Sequence, residues 1–239
     1  MAPAYKRVLL KVSGEALSGD QQFGIQPEFL DAVAQQIAEV ARSGVQMAIV
    51  TGGGNIFRGM AMAANGSDRV TADMMGTLGT VINALALAGA LTSIGIKAKV
   101  FSATTMPSVA DTYTARAAKA ALEDGFVVVL GGGIGNPFFT TDTAAALRAI
   151  ELECDIVLKG TNVDGVYSAD PKKDPQATRY DQISHEDVIT QNLKVMDTAA
   201  FALARDNNMP IIVYSLDDKE GLSGVLAGRV RSTRVGKPL

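Results

Sequence analysis

Cysteine, histidine and long apolar runs are scarce in this 239-residue sequence, and each shortage excludes a class of protein. A single cysteine, Cys154, allows neither an internal disulfide nor a cysteine zinc cluster, and we expect it to be a small core residue. His185 is the only histidine, so a serine or cysteine triad is not recognisable, and we expect His185 to lie on the surface. The longest nearly unbroken apolar run, residues 81–91, is shorter than the roughly 20 residues that cross a bilayer.

Basic residues are not in excess either. The chain has 22 Lys and Arg against 25 Asp and Glu, mixed along its length, which argues against a nucleic-acid surface. The first residues, MAPAYKR, lead into a strand pattern without an apolar signal segment. We therefore expect a cytoplasmic protein that binds neither membrane nor nucleic acid. The length and the 47% hydrophobic content suit a globular chain with a sizeable core.

Short β-branched apolar runs alternate with helical patterns along the chain. Runs buried on both faces with helices between them are typical of an α/β protein with a parallel sheet. The longest helical pattern is apolar on more than one face, which favours a subunit interface for it. Strands are predicted at 7–12, 45–50, 97–102, 126–130, 155–159 and 210–215, and helices at 27–43, 68–93, 113–123, 142–153 and 197–207.

Glycine-rich turns follow three of the predicted strands. Ser13 and Gly14 follow the first strand, Gly52–Gly54 the second and Gly131–Gly133 the fourth. In an open parallel sheet, ligands bind beyond the carboxyl ends of the strands, where bare N–H groups and helix N-termini attract anions. The common nucleotide motifs do not match, because Asp20 stands where a P-loop needs lysine and both triplets lack the third glycine of G-x-G-x-x-G.

Three basic residues are predicted at the same edge of the sheet. Lys11 ends the first strand, Arg58 follows the second and Lys159 ends the fifth. Two lysines and a bidentate arginine could hold two phosphorylated groups facing each other. Phosphoryl transfer requires positioning and charge neutralisation, so this edge is a candidate site for it.

Four longer motifs carry a resemblance to a known family. They are LLKVSGEAL, GGGNIFRG, GNPFFTTDTAA and LKGTNVDGVYSADP, and the chain resembles the bacterial uridylate kinases of the amino acid kinase superfamily from about residue 5 to 216. The resemblance implies a three-layer αβα sandwich with a mainly parallel sheet, forming a single domain over residues 1–239. Its N-terminal part would bind UMP and its part from about residue 155 would bind ATP. The implied reaction moves the γ-phosphoryl group of MgATP to UMP, giving UDP and ADP, in pyrimidine nucleotide biosynthesis.

The resemblance also implies a set of site residues. Ile134 departs from the family pattern, which has threonine there, so a side-chain hydroxyl is missing at that point. The implied ATP contacts are Lys11, Val12, Ser13, Gly14, Gly54, Arg58, Thr161, Asn162, Tyr167 and Asp170. The implied UMP contacts are Gly53, Asp73, Ile134, Gly135, Asn136, Pro137, Phe138, Phe139, Thr140 and Thr141. The implied catalytic residues are Lys11, Arg58, Asp142, Lys159 and Asp197, with the two aspartates orienting the basic residues.

The implied roles explain several features of the sequence. Two phosphates meeting at Gly53 and Gly54 would leave no room for a Cβ atom. Asp73 would accept hydrogen bonds from the UMP ribose, which would reject dUMP. No general base is required, because the second pKa of a phosphate monoester is about 6. Mg²⁺ would arrive with ATP, and the sequence names no protein ligand for it.

Regulation and assembly are further implications of the resemblance. Members of the family are hexamers that GTP activates and UTP inhibits, and the segment linked to GTP comprises Gly19, Asp20, Gln21, Gln22, Phe23 and Gly24. Two alternatives remain open from the sequence. One is an amino acid kinase that phosphorylates a small carboxylate, and the other is a non-catalytic nucleotide sensor.

Overall fold

The structure is a computed structural model, and it describes residues 5–21, 23–57, 68–171, 173–216 and 218–237. Two residues of the predicted sites, Arg58 and Gln22, lie outside the described residues. Their predicted roles therefore stay predictions.

Eleven strands are present in the described part of the chain. They are β1 (Arg7–Val12), β2 (Gln46–Thr51), β3 (Ala98–Ser102), β4 (Asp111–Thr112), β5 (Val127–Gly131), β6 (Ile156–Thr161), β7 (Val166–Tyr167), β8 (Arg179–Tyr180), β9 (Gln182–Ile183), β10 (Ile211–Ser215) and β11 (Ser232–Val235). Nine of them form one sheet in the order β4-β3-β5-β2-β1-β6-β10-β11-β9, and β7 pairs with β8 in a separate ribbon. Within the large sheet only β10 and β11 run antiparallel.

Helices cover both faces of this sheet. They are α1 (Glu15–Ser18), α2 (Pro27–Arg42), α3 (Arg69–Ser93), α4 (Ala115–Glu123), α5 (Thr141–Glu151), α6 (His185–Thr190), α7 (Thr198–Asp206) and α8 (Gly221–Leu226). Leu9 of the central strand packs in a cluster with α4, α5 and α7, whereas Val8 and Leu10 pack in a second cluster with α2, α3 and α8. This period-two alternation between two apolar layers produces the predicted αβα sandwich.

The long helix α3 begins at an aspartate cap, where Asp68 accepts a hydrogen bond of 2.9 Å from the Thr71 amide. It has 25 residues, and an apolar stretch of 18 residues within it has a mean hydropathy of 1.6, enough by length and composition to cross a membrane, although its uninterrupted apolar run is shorter. In this fold 44% of that apolar stretch is buried, and the helix packs on β5, β3 and α2. Its other face exposes Met75, Leu78 and Ile82, so the interface predicted for it stays a prediction.

The six predicted strands and five predicted helices are all present, with ends shifted by two residues or fewer. The strands that sequence patterns missed have two to four residues, too few to show a period. The surface position predicted for His185 is wrong, because its side chain is buried with Nε2 3.0 Å from the Met209 carbonyl. Burial also lowers the pKa of His185. The core position of Cys154 is confirmed, and burial raises the pKa of its thiol to about 12.

Candidate active site

Two lysines lie side by side near the carboxyl ends of two central strands of the sheet. Lys11 on β1 and Lys159 on β6 are partners in the register of these parallel strands. Both side chains are almost completely buried, with 8% of each residue exposed. Lysine is rarely buried without a partner, so this pair requires a nearby negative charge.

Asp142, in the first turn of α5, supplies that charge. Its Oδ1 atom lies 3.1 Å from Nζ of Lys11 and its Oδ2 atom 2.5 Å from Nζ of Lys159, which also donates to the Val195 carbonyl. Burial alone would raise the pKa of Asp142, but the two lysines outweigh it and hold this pKa below the ordinary 3.8. The cluster of two ammonium groups and one carboxylate therefore keeps one net positive charge at the sheet edge.

Burial lowers the pKa of Lys159 below its ordinary 10.5, although Asp142 acts in the opposite direction. If this ammonium group binds phosphate, kcat/KM for ATP should fall on the alkaline side with a midpoint below 10.5. Bound polyphosphate favours the charged form, so kcat at saturating ATP should fall at a higher pH than kcat/KM. A pH profile of initial rates checks this, and coincident midpoints for the two parameters would contradict it.

The first glycine triplet follows β2 and is crowded by the protein itself. A Cβ atom on Gly52 would lie 2.8 Å from the Gly14 amide, and one on Gly53 would lie 2.6 Å from the Gly76 carbonyl of α3. For Gly54, the nearest atom to a Cβ within the described part of the chain is Oε1 of Glu15, 3.9 Å away. The expectation that facing phosphates exclude Cβ atoms from Gly53 is therefore corrected, because helix packing already excludes one there.

The second triplet, after β5, follows the same pattern. A Cβ on Gly131 would lie 3.0 Å from Val81 of α3, and one on Gly132 would lie 2.8 Å from the Ala103 amide. Gly133 has open space but a φ of 56°, a conformation that favours glycine. In both triplets the first two glycines allow close packing, and the third borders open space.

A cavity of about 270 Å³ lies between these triplets and the start of α3. We call it the acceptor cavity. Of the predicted UMP contacts, Gly135, Pro137 and Phe138 are not among its lining residues. The predicted contacts that do line it are Gly53, Asp73, Ile134, Asn136, Phe139, Thr140 and Thr141, and Gly54 lines it as well. Ile134, which replaces the family's threonine, also packs against the apolar cluster under α5.

A second cavity, of about 500 Å³, opens on the other side of β1. We call it the donor cavity. Of the predicted ATP contacts, the polar residues Ser13, Thr161 and Asn162 and the apolar Val12 line it, and much of its wall is apolar. Tyr167 and Asp170 do not line it. Apolar wall residues include Phe29, Val33, Ile37, Tyr214, Leu216 and Leu222, and a flat base of a nucleotide suits such a wall.

Asp197 contacts hydroxyl and amide groups near the cluster. It caps α7 by accepting from the Ala200 amide at 2.8 Å, and it accepts from the Thr143 hydroxyl at 2.8 Å and from the Thr140 hydroxyl. Thr140 in turn caps α5, as its position before the helix predicts. Asp197 therefore fixes the start of the helix that carries Asp142, while Asp142 makes the contacts to the lysines.

Two buried asparagines were missed by the sequence analysis. Asn83 of α3 donates to the Gly52 carbonyl at 2.7 Å and to Asn55 Oδ1 at 2.6 Å. Asn55 donates back to Asn83 and to the Gly24 carbonyl at 2.7 Å, and both side chains are fully buried. This network ties the first triplet to α3 and to the segment at 19–24. An asparagine inside the apolar stretch VINALAL was the signal that could have revealed it.

Paired lysines at the carboxyl ends of the strands of a mainly parallel αβα sandwich suit phosphoryl transfer, and sequence comparison assigns the family. The model of the amino acid kinase family matches residues 6–215. The match covers most of the chain, and the chain belongs to the amino acid kinase family.

Within this family, the chain is similar to uridylate kinases, also called UMP kinases. Over 233 residues the chain is 57% identical to the uridylate kinase of Brucella abortus biovar 1 (strain 9-941), covering 98% of this chain and 97% of the relative. It is 54% identical over 237 residues to the uridylate kinase of Bartonella henselae, covering 99% of both. The crystal structure of UMP kinase from Bacillus anthracis superposes with a TM-score of 0.94 at 39% identity, covering 98% of this chain and 97% of that one.

Proposed function

We propose that the protein transfers the γ-phosphoryl group of ATP to UMP, giving UDP and ADP. The observation that carries this proposal is the buried cluster of Lys11, Asp142 and Lys159. Lys11 is followed in the chain by residues of the donor cavity, and Asp142 is preceded by residues of the acceptor cavity. The relatives are uridylate kinases and UMP kinases, and they supply UMP as the acceptor.

The cluster would act on the phosphoryl group in transit. Its net positive charge lies in a largely dry position, where a developing negative charge is stabilised more strongly than in water. Asp142 fixes the two buried ammonium groups in place, so that little reorganisation would be needed during transfer. Gly54 lines the acceptor cavity, where a phosphate could lie beside its backbone. Arg58, which follows the first glycine triplet in the chain, would complete the set of basic groups.

Mg²⁺ enters this proposal as part of the donor, MgATP, where it neutralises charge on the phosphates. Among the described residues, His, Cys, Asp and Glu do not form a group of three or more that could hold a metal ion. We propose that the ion is held mainly by phosphate oxygens and water. Asp142 is the carboxylate nearest the lysines, and both of its oxygens already face ammonium groups.

Regulation, assembly and location belong to the same proposal. We place GTP activation at segment 19–24, where Gly19 and Asp20 line the donor cavity and Gly24 bonds to Asn55. UTP inhibition would follow from occupation of the acceptor cavity. The exposed apolar residues of α3 support a homo-oligomer. We propose a hexamer as the oligomeric state and the cytoplasm as the location. The single domain would bind UMP mainly through its N-terminal part.

A coupled assay of ADP release with a panel of acceptors tests the reaction. UMP with MgATP should give UDP at a rate well above those with CMP and dUMP. Asp73 lies in the acceptor cavity, where it could meet the 2′-hydroxyl that dUMP lacks. Aspartate, glutamate and acetylglutamate serve as matched carboxylate acceptors. Faster turnover of a carboxylate, or equal rates on UMP and CMP, would contradict the proposal. Nucleotide binding without ADP release from any acceptor would indicate a sensor.

A further inference from the structure

Arg69, the first residue of α3, contacts Asp73 in the acceptor cavity and Phe138 in the segment beside it. Its Nε atom donates to both carboxylate oxygens of Asp73 at 2.8 Å. Its guanidinium carbon lies 5.5 Å from the ring centroid of Phe138, and Asp73 Oδ2 accepts from the Phe138 amide at 2.8 Å. We call these three residues the clasp. It connects the start of α3 to the segment that follows the second glycine triplet.

The backbone of Phe138 indicates that the clasp holds a strained conformation. Phe138 has a φ of 70°, which is uncommon for a residue with a Cβ atom. Such conformations persist only where the surroundings enforce them, and they cluster at ligand-binding segments. Phe138 is 64% exposed, so core packing does not enforce this one. Two contacts within the described part of the chain do hold it, the Asp73 carboxylate on its amide and the Arg69 guanidinium over its ring.

An ordinary surface pair would not explain this arrangement. Arg69 and Asp73 are four residues apart on a helix, where exposed ion pairs contribute little to folding. However, the Asp73 side chain is only 15% exposed, and Asp73 also bonds to the backbone across the cavity. Both residues line the acceptor cavity. The pair therefore shapes a binding site.

We propose that Arg69 is a positioning residue of the acceptor site, and this rests on the proposed function. By fixing the Asp73 carboxylate and the Phe138 backbone together, Arg69 presents a preformed acceptor cavity to the nucleotide. A carboxylate offers about four lone-pair positions, so Asp73 still has capacity for a sugar hydroxyl. Without Arg69, this carboxylate and the segment around Phe138 must be ordered at the moment of binding, which weakens affinity.

Steady-state kinetics of Arg69→Gln and Arg69→Lys test the inference. Arg69→Gln should raise KM for UMP about tenfold, the size expected for a lost charge-assisted hydrogen bond, and leave KM for ATP and kcat within about twofold. The preference for UMP over dUMP should shrink, because dUMP lacks one of the hydroxyls that Asp73 could accept from. Arg69→Lys should fall between wild type and Arg69→Gln, since lysine keeps the charge without the planar fork.

Arg205→Gln is the matched control. Arg205 is a helical arginine with a side chain 42% exposed, against 44% for Arg69, and it pairs with Glu186 and Asp206 away from the acceptor cavity. Its replacement should leave both KM values unchanged. Equal increases in the KM for ATP and UMP in Arg69→Gln, or the same change in Arg205→Gln, would overturn the inference.

Hydrogen exchange at the Phe138 amide gives a second readout that does not depend on activity. Arg69→Gln should speed this exchange, while Arg205→Gln should not, and the melting temperature should stay close to that of wild type in both. An unchanged exchange rate together with an unchanged KM for UMP would overturn the role of Arg69. If the wild-type protein made no UDP, the proposed function would fail, whereas faster exchange would still establish the clasp.

Discussion

Replacing Lys159 with methionine should lower kcat for UDP formation by about 10³-fold, in line with the loss of one fixed group that stabilises transition-state charge. Methionine fills a similar volume and cannot carry the positive charge that the moving phosphoryl group needs. Lys11 remains beside Asp142 in this variant, but the pair is then neutral. Initial-rate measurements at saturating MgATP and UMP check the loss.

The same variant should remain folded, which separates catalysis from stability. Burial lowers the pKa of Lys159, so the protein already holds this ammonium group at a cost that methionine removes. Methionine also leaves the Val195 carbonyl without its lysine donor, which offsets part of that gain. We expect the melting temperature to change by about 4 °C or less, equivalent to roughly 1 kcal/mol in a chain of this size.

Lys119→Met is the control for this experiment. Lys119 of α4 forms an ion pair of 2.5 Å with Glu153, which follows α5. Lys119 lines neither the donor cavity nor the acceptor cavity. Its replacement should leave kcat unchanged. A Lys159→Met enzyme with near-normal turnover, or one that loses activity only because it unfolds, would remove Lys159 from the mechanism.

The sequence was sufficient for the sandwich because period-two burial and helical periodicity are local properties. Leu9 and Leu10 are neighbours in the chain and face opposite layers, so the run RVLLKV indicates a strand buried on both faces. Strand order could not be predicted, since it depends on packing between residues far apart. The pairing of Lys11 with Lys159 joins residues 148 positions apart, and only their common strand-end location pointed to it.

The glycine triplets show where a functional interpretation of sequence went too far. A glycine at a strand end can make room for a ligand or for the protein's own backbone, and the letters are identical in both cases. Here α3 passes so close to β2 and β5 that Gly53 and Gly131 are required by packing. The helix can come this close because Gly79 lies on its facing side, where a Cβ atom would lie 3.2 Å from the Gly53 carbonyl oxygen.

Replacing Asp142 with asparagine should destabilise the ligand-free protein by about 3 kcal/mol at neutral pH, the range for breaking a buried ion pair. Asparagine keeps the size of the side chain but leaves two buried ammonium groups, on Lys11 and Lys159, without a counter-charge. Thermal or denaturant unfolding of the two proteins measures the difference. Asp206→Asn is a suitable control, because Asp206 pairs only with exposed Arg205 among the described ion pairs.

The pH dependence of this difference follows from the direction of the pKa shift. The pKa of Asp142 is lowered in the folded protein, so its stabilising contribution is present above 3.8 and is lost as the pH falls through the folded value. In Asp142→Asn the loss of stability comes from the two buried, charged lysines. This loss becomes smaller as rising pH removes their protons. The gap in stability between wild type and variant should therefore be widest near neutral pH and should narrow in acid and in alkali.

Nucleotide should reverse much of the loss, because polyphosphate supplies the negative charge that the variant lacks. ATP binds the folded form and stabilises it by mass action, so its effect grows with the affinity of the site for anions. With no carboxylate competing for the two ammonium groups, MgATP should raise the melting temperature of Asp142→Asn by more than that of wild type. A constant gap at every pH, or equal stabilisation of both proteins by MgATP, would show that Asp142 does not hold the lysines for a phosphate.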